Sequence, residues 1–248
     1  MTPHRPDEPF TSLFDDPELE AVFATSSPAE TLAAVLTEAR VVLAEVEGPL
    51  DAELWGSDIV AALGSGGGQA DAIVAAAERA GTREALATLR VLGAVGSGAL
   101  RAEARDAAGR LAALGITPPA WAESMGAPSP GQCWCYGDRR GRLEAVTMTF
   151  WYADRGHVVS VLLDRDQGGG IKNVWIGDSA GVLDRTRQMA RQDPGMLFEM
   201  ITQPDARARM ERALAAGECP RQPEEAGNVA SRRAILRARV ALLAGGSG

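Results

Sequence analysis

The sequence predicts an α+β protein: an all-α N-terminal half of helical hairpins, then a small, mainly antiparallel sheet with covering helices. Three observations carry that reading. Apolar residues recur at helical spacing from Leu32 to about residue 114, interrupted by glycine and proline. The period then changes to two, with Val146, Met148, Phe150 and Tyr152 alternating with Thr147, Thr149 and Trp151. Between the two patterns lies ITPPAWAESMGAPSPGQ (116–132), whose four prolines mark a connector with one turn of helix at 120–125. The chain therefore divides into an acidic, partly flexible segment (1–26), a helical domain (27–116), a proline-rich connector (117–131) and an α+β domain (132–248).

The first helix is announced by Ser27-Pro28-Ala29-Glu30, a cap, a proline suited to the first helical position and an acid that closes a capping box. Leu32, Val35, Leu36, Ala39, Val42, Leu43 and Val46 follow on one stripe until Gly48-Pro49. A shorter helix is predicted over 52–63, closed by GSGGG at 64–68, and three Ala/Leu-rich helices over 69–80, 83–95 and 99–114. The pattern fits a stack of HEAT-like hairpins or a plain bundle, since no fixed period of about 40 residues decides between them. A stack would present a concave binding face.

In the second half, strands are expected at 132–136, 146–152, 157–164 and 171–176, with Asp154-Arg155-Gly156 as the turn between the second and third. Asp178 or Ser179 caps a helix to about 191, and helices are expected over 205–216 and 229–243. Periodicity leaves MLFEMI (196–201) open between strand and short helix. The segments PPAWAESMG, YGD and LLDRDQGGGIKNVW, taken with the helical first half, resemble an uncharacterised family of proteins from high-GC bacteria. The resemblance covers most of the chain, is more specific in the second half, implies the same two-part architecture and transfers no activity.

Composition narrows the functional classes. The net charge of −8 is uneven: residues 1–60 hold 13 acids against 2 arginines, and residues 201–248 hold 5 acids against 8 arginines. An acidic chain is a poor general nucleic-acid binder. No apolar run approaches the roughly 18 residues of a membrane span, and the first residues carry no signal-peptide pattern. Three cysteines argue for a reducing compartment, so a cytoplasmic location is expected. Arginine outnumbers lysine by 24 to one, as GC-rich codons would produce, which weakens any significance of the lone Lys172.

The candidate chemistry gathers at DRDQGGGIKNVW, where Asp164, Asp166, Gly168, Gly169, Gly170 and Lys172 form a candidate ligand- or anion-binding turn with His157 nearby. As a calcium loop it fails at Gly168 and Trp175, where oxygen ligands belong, and as a phosphate loop it fails at Asn173. Glycine amides with Lys172 could still form an anion nest; the plainer reading is a turn between two strands. Cys133-Trp134-Cys135 puts two thiols on one strand face, but only Cys219, His4 and His157 remain to complete a metal site, so inert buried thiols are expected and no metal or cofactor. His157 could act as a base oriented by Asp154, Asp164 or Asp166, yet no nucleophile motif accompanies it. The pairs Asp15/Asp16 and Glu224/Glu225 read as solvated charge. Arg232, Arg233, Arg237 and Arg239, beside Ile235, Leu236, Val240 and Leu243, read as a helix packed on the core with its arginines in water.

The leading functional expectation is a non-enzymatic adaptor or regulatory interaction module, its partner another protein or a second copy, with no membrane partner. The alternatives are an enzyme or small-ligand binder at the Asp164–Lys172 turn, and nucleic-acid binding through the C-terminal arginines.

Overall fold

The computed structural model describes residues 28–46, 48–64, 67–219 and 223–245. The acidic segment 1–26, the Ser27 cap, His4 and part of the glycine-rich stretch 64–68 lie outside the described residues. The chain is mixed α+β and divides into two compact units, Met1–Glu123 and Ser124–Gly248.

In the first unit, α1 (Pro28–Glu45), α2 (Pro49–Leu63), α3 (Gly67–Ala80), α4 (Arg83–Val95) and α5 (Gly98–Ala113) precede a single 3-10 turn at Ala120–Glu123. The Thr82 hydroxyl caps α4 by accepting the Ala85 N–H at 3.2 Å. Ten of the thirteen residues of α4 are buried, and all four other helices pack against it. A helix apolar on every side belongs at the centre of a bundle, because in a repeat stack each hairpin meets only its neighbours. The arrangement is therefore a bundle wrapped around α4, not the HEAT-like alternative.

Two glycines let the helices close on α4. A Cβ on Gly56 of α2 would lie 2.9 Å from the Val91 Cβ, and one on Gly93 would lie 2.8 Å from the Arg105 Cγ. Arg105 of α5 donates from Nε to the Gly93 carbonyl at 2.9 Å, and Arg101 donates to Gly96 and Ala94, so α5 supplies cations to the C-terminal carbonyls of α4. Trp55, wholly buried, donates its indole N–H to Glu38 at 3.0 Å. Gly109 of α5, by contrast, has open space where a Cβ would stand. Gly109→Ala is accordingly expected to stabilise the chain by about 0.5–1 kcal/mol through helix propensity. Gly56→Ala gains the same propensity but overpacks a closed interface, for a net loss of about 1–2 kcal/mol. Urea unfolding of the two variants checks the pair, and equal signs would contradict the interlock.

The second unit contains β1 (Ser129–Asp138), β2 (Leu143–Tyr152), β3 (Arg155–Asp164), β4 (Gly170–Asp178), α6 (Ser179–Gln192), β5 (Met196–Ile201), α7 (Gln203–Ala216) and α8 (Pro223–Val240). The strands form one antiparallel sheet in the order β4-β3-β2-β1-β5. MLFEMI is thus a strand, paired with β1. Several boundaries differ from the sequence expectation, and the helix expected over 229–243 is α8 at Pro223–Val240. β1 starts at Ser129, inside the proline-rich stretch, because a bulge between Pro130 and Cys133 absorbs residues with no regular partner. β2 starts at Leu143. The β2–β3 turn sits at Ala153 and Asp154, with Ala153 in the left-handed region at φ 51°, so Arg155 and Gly156 already belong to β3.

One face of the sheet carries Val146, Met148, Phe150, Val159, Val161 and Leu163 against α7 and α8, which contribute Met210, Val229, Leu236 and Val240. Thr202 caps α7 by accepting the Asp205 N–H at 3.2 Å. α6 links the far end of β4 to the near end of β5, and so runs across the opposite, outer face. Its inward stripe, Ser179, Val182, Leu183, Thr186, Arg187 and Ala190, is nowhere fully buried. Among the described residues no helix is long and apolar enough to cross a membrane.

Candidate functional site

The residues singled out at the glycine-rich turn do not assemble into one site. Asp164 ends β3, buried, with its carbonyl accepting the Gly169 N–H at 2.9 Å. Asp166 is exposed in a 3-10 turn (Arg165–Gln167). Gly168 and Gly169 adopt φ of +80° and +79°, which the reversal requires, and Gly170 is held so close to the Gly217 carbonyl that a Cβ would approach it to 2.9 Å. Lys172 is drawn to α8, its Nζ lying 3.6 Å from Glu225 with the side chain only 17% exposed. His157 stands seven residues back along β3, about 23 Å from Asp164.

His157 is instead part of a buried cluster on the inner face. Arg239, fully buried, donates from Nε to His157 Nε2 at 3.1 Å and from a terminal nitrogen to the Tyr152 hydroxyl at 3.3 Å. Its guanidinium stands over the Phe150 and Tyr152 rings, and both rings stack on the imidazole. Burial first, and the arginine charge second, push the His157 pKa down to about 3. The imidazole is therefore neutral, with Nε2 an acceptor. This corrects the expectation of a solvated Arg239: helical spacing shows which side of α8 faces inward but not that a guanidinium is carried with it.

A second cluster lies toward the other end of the inner face. Glu144 is buried between Arg165, whose Nε donates at 2.8 Å, and Arg209, which donates to the other carboxylate oxygen. Burial alone would raise the Glu144 pKa, but the hydrogen bonds from Arg165 and Arg209 hold it below the ordinary value. Cys135 donates its thiol to Glu144 at 3.4 Å. Burial pushes the Cys133 thiol up to about 11, and burial with the Glu144 charge pushes Cys135 up to about 12. Both thiols are protonated at neutral pH and so lack the nucleophilic thiolate. No three metal-ligating side chains come together among the described residues.

The outer face holds the open surface. A cross-strand row runs Met200, Trp134, Thr147, Ser160, Trp175 from β5 to β4, with Thr147 and Ser160 hydrogen-bonded through their hydroxyls at 2.9 Å. Trp151 lies flat on Gly156, its register partner, where a Cβ would come within 2.7 Å of the ring. Between this surface and α6 is a groove of about 420 Å³, lined by Gly131, Gln132, Trp134, Thr149, Trp151, Ser179, Leu183, Asp184 and Arg187. The β1 bulge shapes its floor: a Cβ on Gly131 would meet the Thr149 hydroxyl at 2.5 Å. Arg187 pairs with Asp184 at 3.1 Å and stands 5.5 Å over the Phe198 ring. Trp134 is 8% exposed and Trp151 43%.

This groove was not among the sequence-predicted sites. Alternation marked Thr147, Thr149 and Trp151 as the face opposite the core, but that α6 crosses the same face follows only from the strand order. Fold and groove define the protein as a two-unit α+β chain with an aromatic-floored cleft beneath a loosely packed helix. It matches no known family model, no curated protein and no solved structure.

Proposed function

We propose that the chain is a non-catalytic binding module whose α+β unit takes a polypeptide partner in the groove beneath α6. The observation that carries this reading is the placing of two indoles, Trp134 and Trp151, on adjacent strands in one cleft with the Arg187 guanidinium and a polar rim. Tryptophan and arginine dominate protein-binding surfaces because they bury a large area while keeping a directional polar group. The groove lies within the size range of sites for compact ligands, about 300–1,000 Å³, and suits one or two apolar or aromatic side chains. Gln132, Ser179 and the Asp184–Arg187 pair offer donors and acceptors for the peptide backbone at its rim.

The remaining chemistry favours binding over catalysis. His157 is neutral and enclosed, the Cys133 and Cys135 thiols are protonated, and Lys172 is engaged by Glu225. Two of the four arginines on which the nucleic-acid alternative rested are engaged within the chain, which supports the binding-module reading over it: Arg239 is buried and Arg233 is paired with Glu218 at 3.1 Å.

Displayed random peptides selected on the full chain test the proposal. The expected consensus contains an aromatic or branched apolar residue. A synthetic peptide carrying it should quench indole fluorescence on binding and lose at least about tenfold in affinity, some 1.4 kcal/mol, with Trp151→Ala. Trp151 is half exposed, so the variant should keep its fold. An absence of enriched peptides, or binding unchanged in both Trp151→Ala and Arg187→Ala, would overturn the assignment.

A further inference from the structure

The two edges of the sheet are finished differently. At β4 the chain closes its own edge. Ile171 donates its N–H to the Gly217 carbonyl at 2.9 Å and accepts from the Cys219 N–H at 2.9 Å, and the Val174 N–H is taken by the Asn228 side chain at 3.1 Å. β5 is the last strand on the other side, and among the described residues only β1 pairs with it.

The direction of the open backbone groups follows from the ladder. Arg139 donates to the Gly195 carbonyl at 2.9 Å, continuing the β1–β5 register, so Gly195, Leu197, Glu199 and Ile201 turn their backbone toward β1. Met196, Phe198 and Met200 then turn theirs outward. The Met196 N–H is used locally by the Asp193 carbonyl at 3.0 Å. The outward groups left are the N–H of Phe198 and Met200 and the carbonyls of all three residues.

Protected edges carry lysine, proline or a bulge. β5 has none of these; its six residues, MLFEMI, include one charge, and Met200 is 67% exposed.

We infer that β5 pairs antiparallel with β5 of a second copy of this chain, joining two five-stranded sheets edge to edge about a two-fold axis. The register centred on Phe198 satisfies the outward groups. Phe198 exchanges two hydrogen bonds with Phe198 of the second copy, and each Met200 N–H donates to the other copy's Met196 carbonyl, the acceptor whose own N–H is already used. Glu199 then faces Leu197 of the second copy, so no two carboxylates lie directly opposite. The two Phe198 rings meet on the outer face, each beneath its own Arg187. A symmetric interface must be self-complementary in this way, whereas an unrelated strand would have no reason to match the one N–H that is missing.

The test is the mass in solution of the full chain, by sedimentation equilibrium across micromolar concentrations. The expected result is reversible dimerisation to twice the chain mass of 26.0 kDa. Met200→Pro removes an outward N–H without touching the β1 ladder, and Met200→Lys places a charge in the contact; both should be monomeric, with the thermal midpoint that the wild type shows at dilutions where it too is dissociated. Backbone exchange at Phe198 and Met200 should be slower in the wild type than in Met200→Lys. A wild type monomeric throughout, or a dimer that persists in both variants, would sink the inference. Because Met200 is not a lining residue of the groove and Trp151 is not on β5, Met200→Lys should still bind the selected peptide and Trp151→Ala should still dimerise, which separates failure of one proposal from failure of the other.

Discussion

Replacing His157 by glutamine is expected to flatten the acid dependence of stability. Histidine in an unfolded chain titrates near pH 6.5, whereas the folded imidazole, enclosed by Phe150, Tyr152 and Arg239, titrates at about 3. The unfolded state therefore binds the proton more tightly. Its contribution to stability is fully present above pH 6.5 and is lost progressively as pH falls toward the folded value. Each pH unit in that window costs about 1.4 kcal/mol, so about 2.7 kcal/mol is gone at about pH 4.5. Glutamine cannot titrate and keeps an oxygen to accept the Arg239 N–H. The measurement is the change in urea unfolding free energy between pH 7 and 4.5 in wild type and variant. The difference of differences isolates His157 from every other group that titrates there. A variant with the wild-type slope would show that the imidazole is not held neutral, and that the Arg239 contact does not exist as described.

How much of this was legible in the sequence depended on whether the deciding contact was local. Some helix ends were: glycines such as those of Gly96-Ser97-Gly98 punctuate the chain through their own backbone preferences, and the expected range 83–95 is that of α4. That α4 lies at the centre was not, although its near-continuous Ala/Leu/Val content is what a surrounded helix requires. In β2 the alternation is plain from Val146 onward. Extending it one step back would have placed Glu144 beside Val146 and Met148, on the inner face, and raised the question of what neutralises a buried acid. The answer comes from Arg165, beyond the next strand, and Arg209, on a helix after the last one, and no local pattern joins them. The bulge at Gly131 and the diagonal path of α6 likewise depend on pairings between distant segments. The candidate turn at Asp164–Lys172 is conspicuous because glycines and a lone lysine stand out in one dimension. The groove leaves no such local mark, since its residues are spread over β1, β2 and α6.

The Glu144 cluster carries the other large expected effect. Glu144→Gln preserves shape but removes the anion to which both Arg165 and Arg209 donate, and amide nitrogen then faces one guanidinium. Breaking a buried ion pair by deleting one partner costs about 3–5 kcal/mol, because the surviving charge is stranded. Here two factors place the loss toward the lower end. The Arg165 and Arg209 side chains are 42% and 26% exposed, so water takes up part of each charge, and Glu199 gives Arg209 a second acidic neighbour. A loss of about 3 kcal/mol at neutral pH is expected in urea unfolding. The depressed Glu144 pKa sets its pH window: the contribution is present above the unfolded value of about 4.3 and fades as pH falls through the folded one, so wild type and variant should converge in acid. That window opens near pH 4.3 and overlaps only the lower end of the His157 window, so of the two variants only His157→Gln alters the acid limb between about pH 6.5 and 4.5. Replacing the cluster together, Glu144→Leu with Arg165→Met and Arg209→Met, should recover part of the loss, since no guanidinium is then stranded and the desolvation of the buried Glu144 carboxylate is avoided. A second readout moves with it. The Glu144 charge helps hold the Cys135 thiol up near 12, so Glu144→Gln should lower that pKa and speed alkylation of Cys135 in the folded protein. Unchanged stability together with an unreactive Cys135 would mean that Glu144 is not the anion on which both arginines converge.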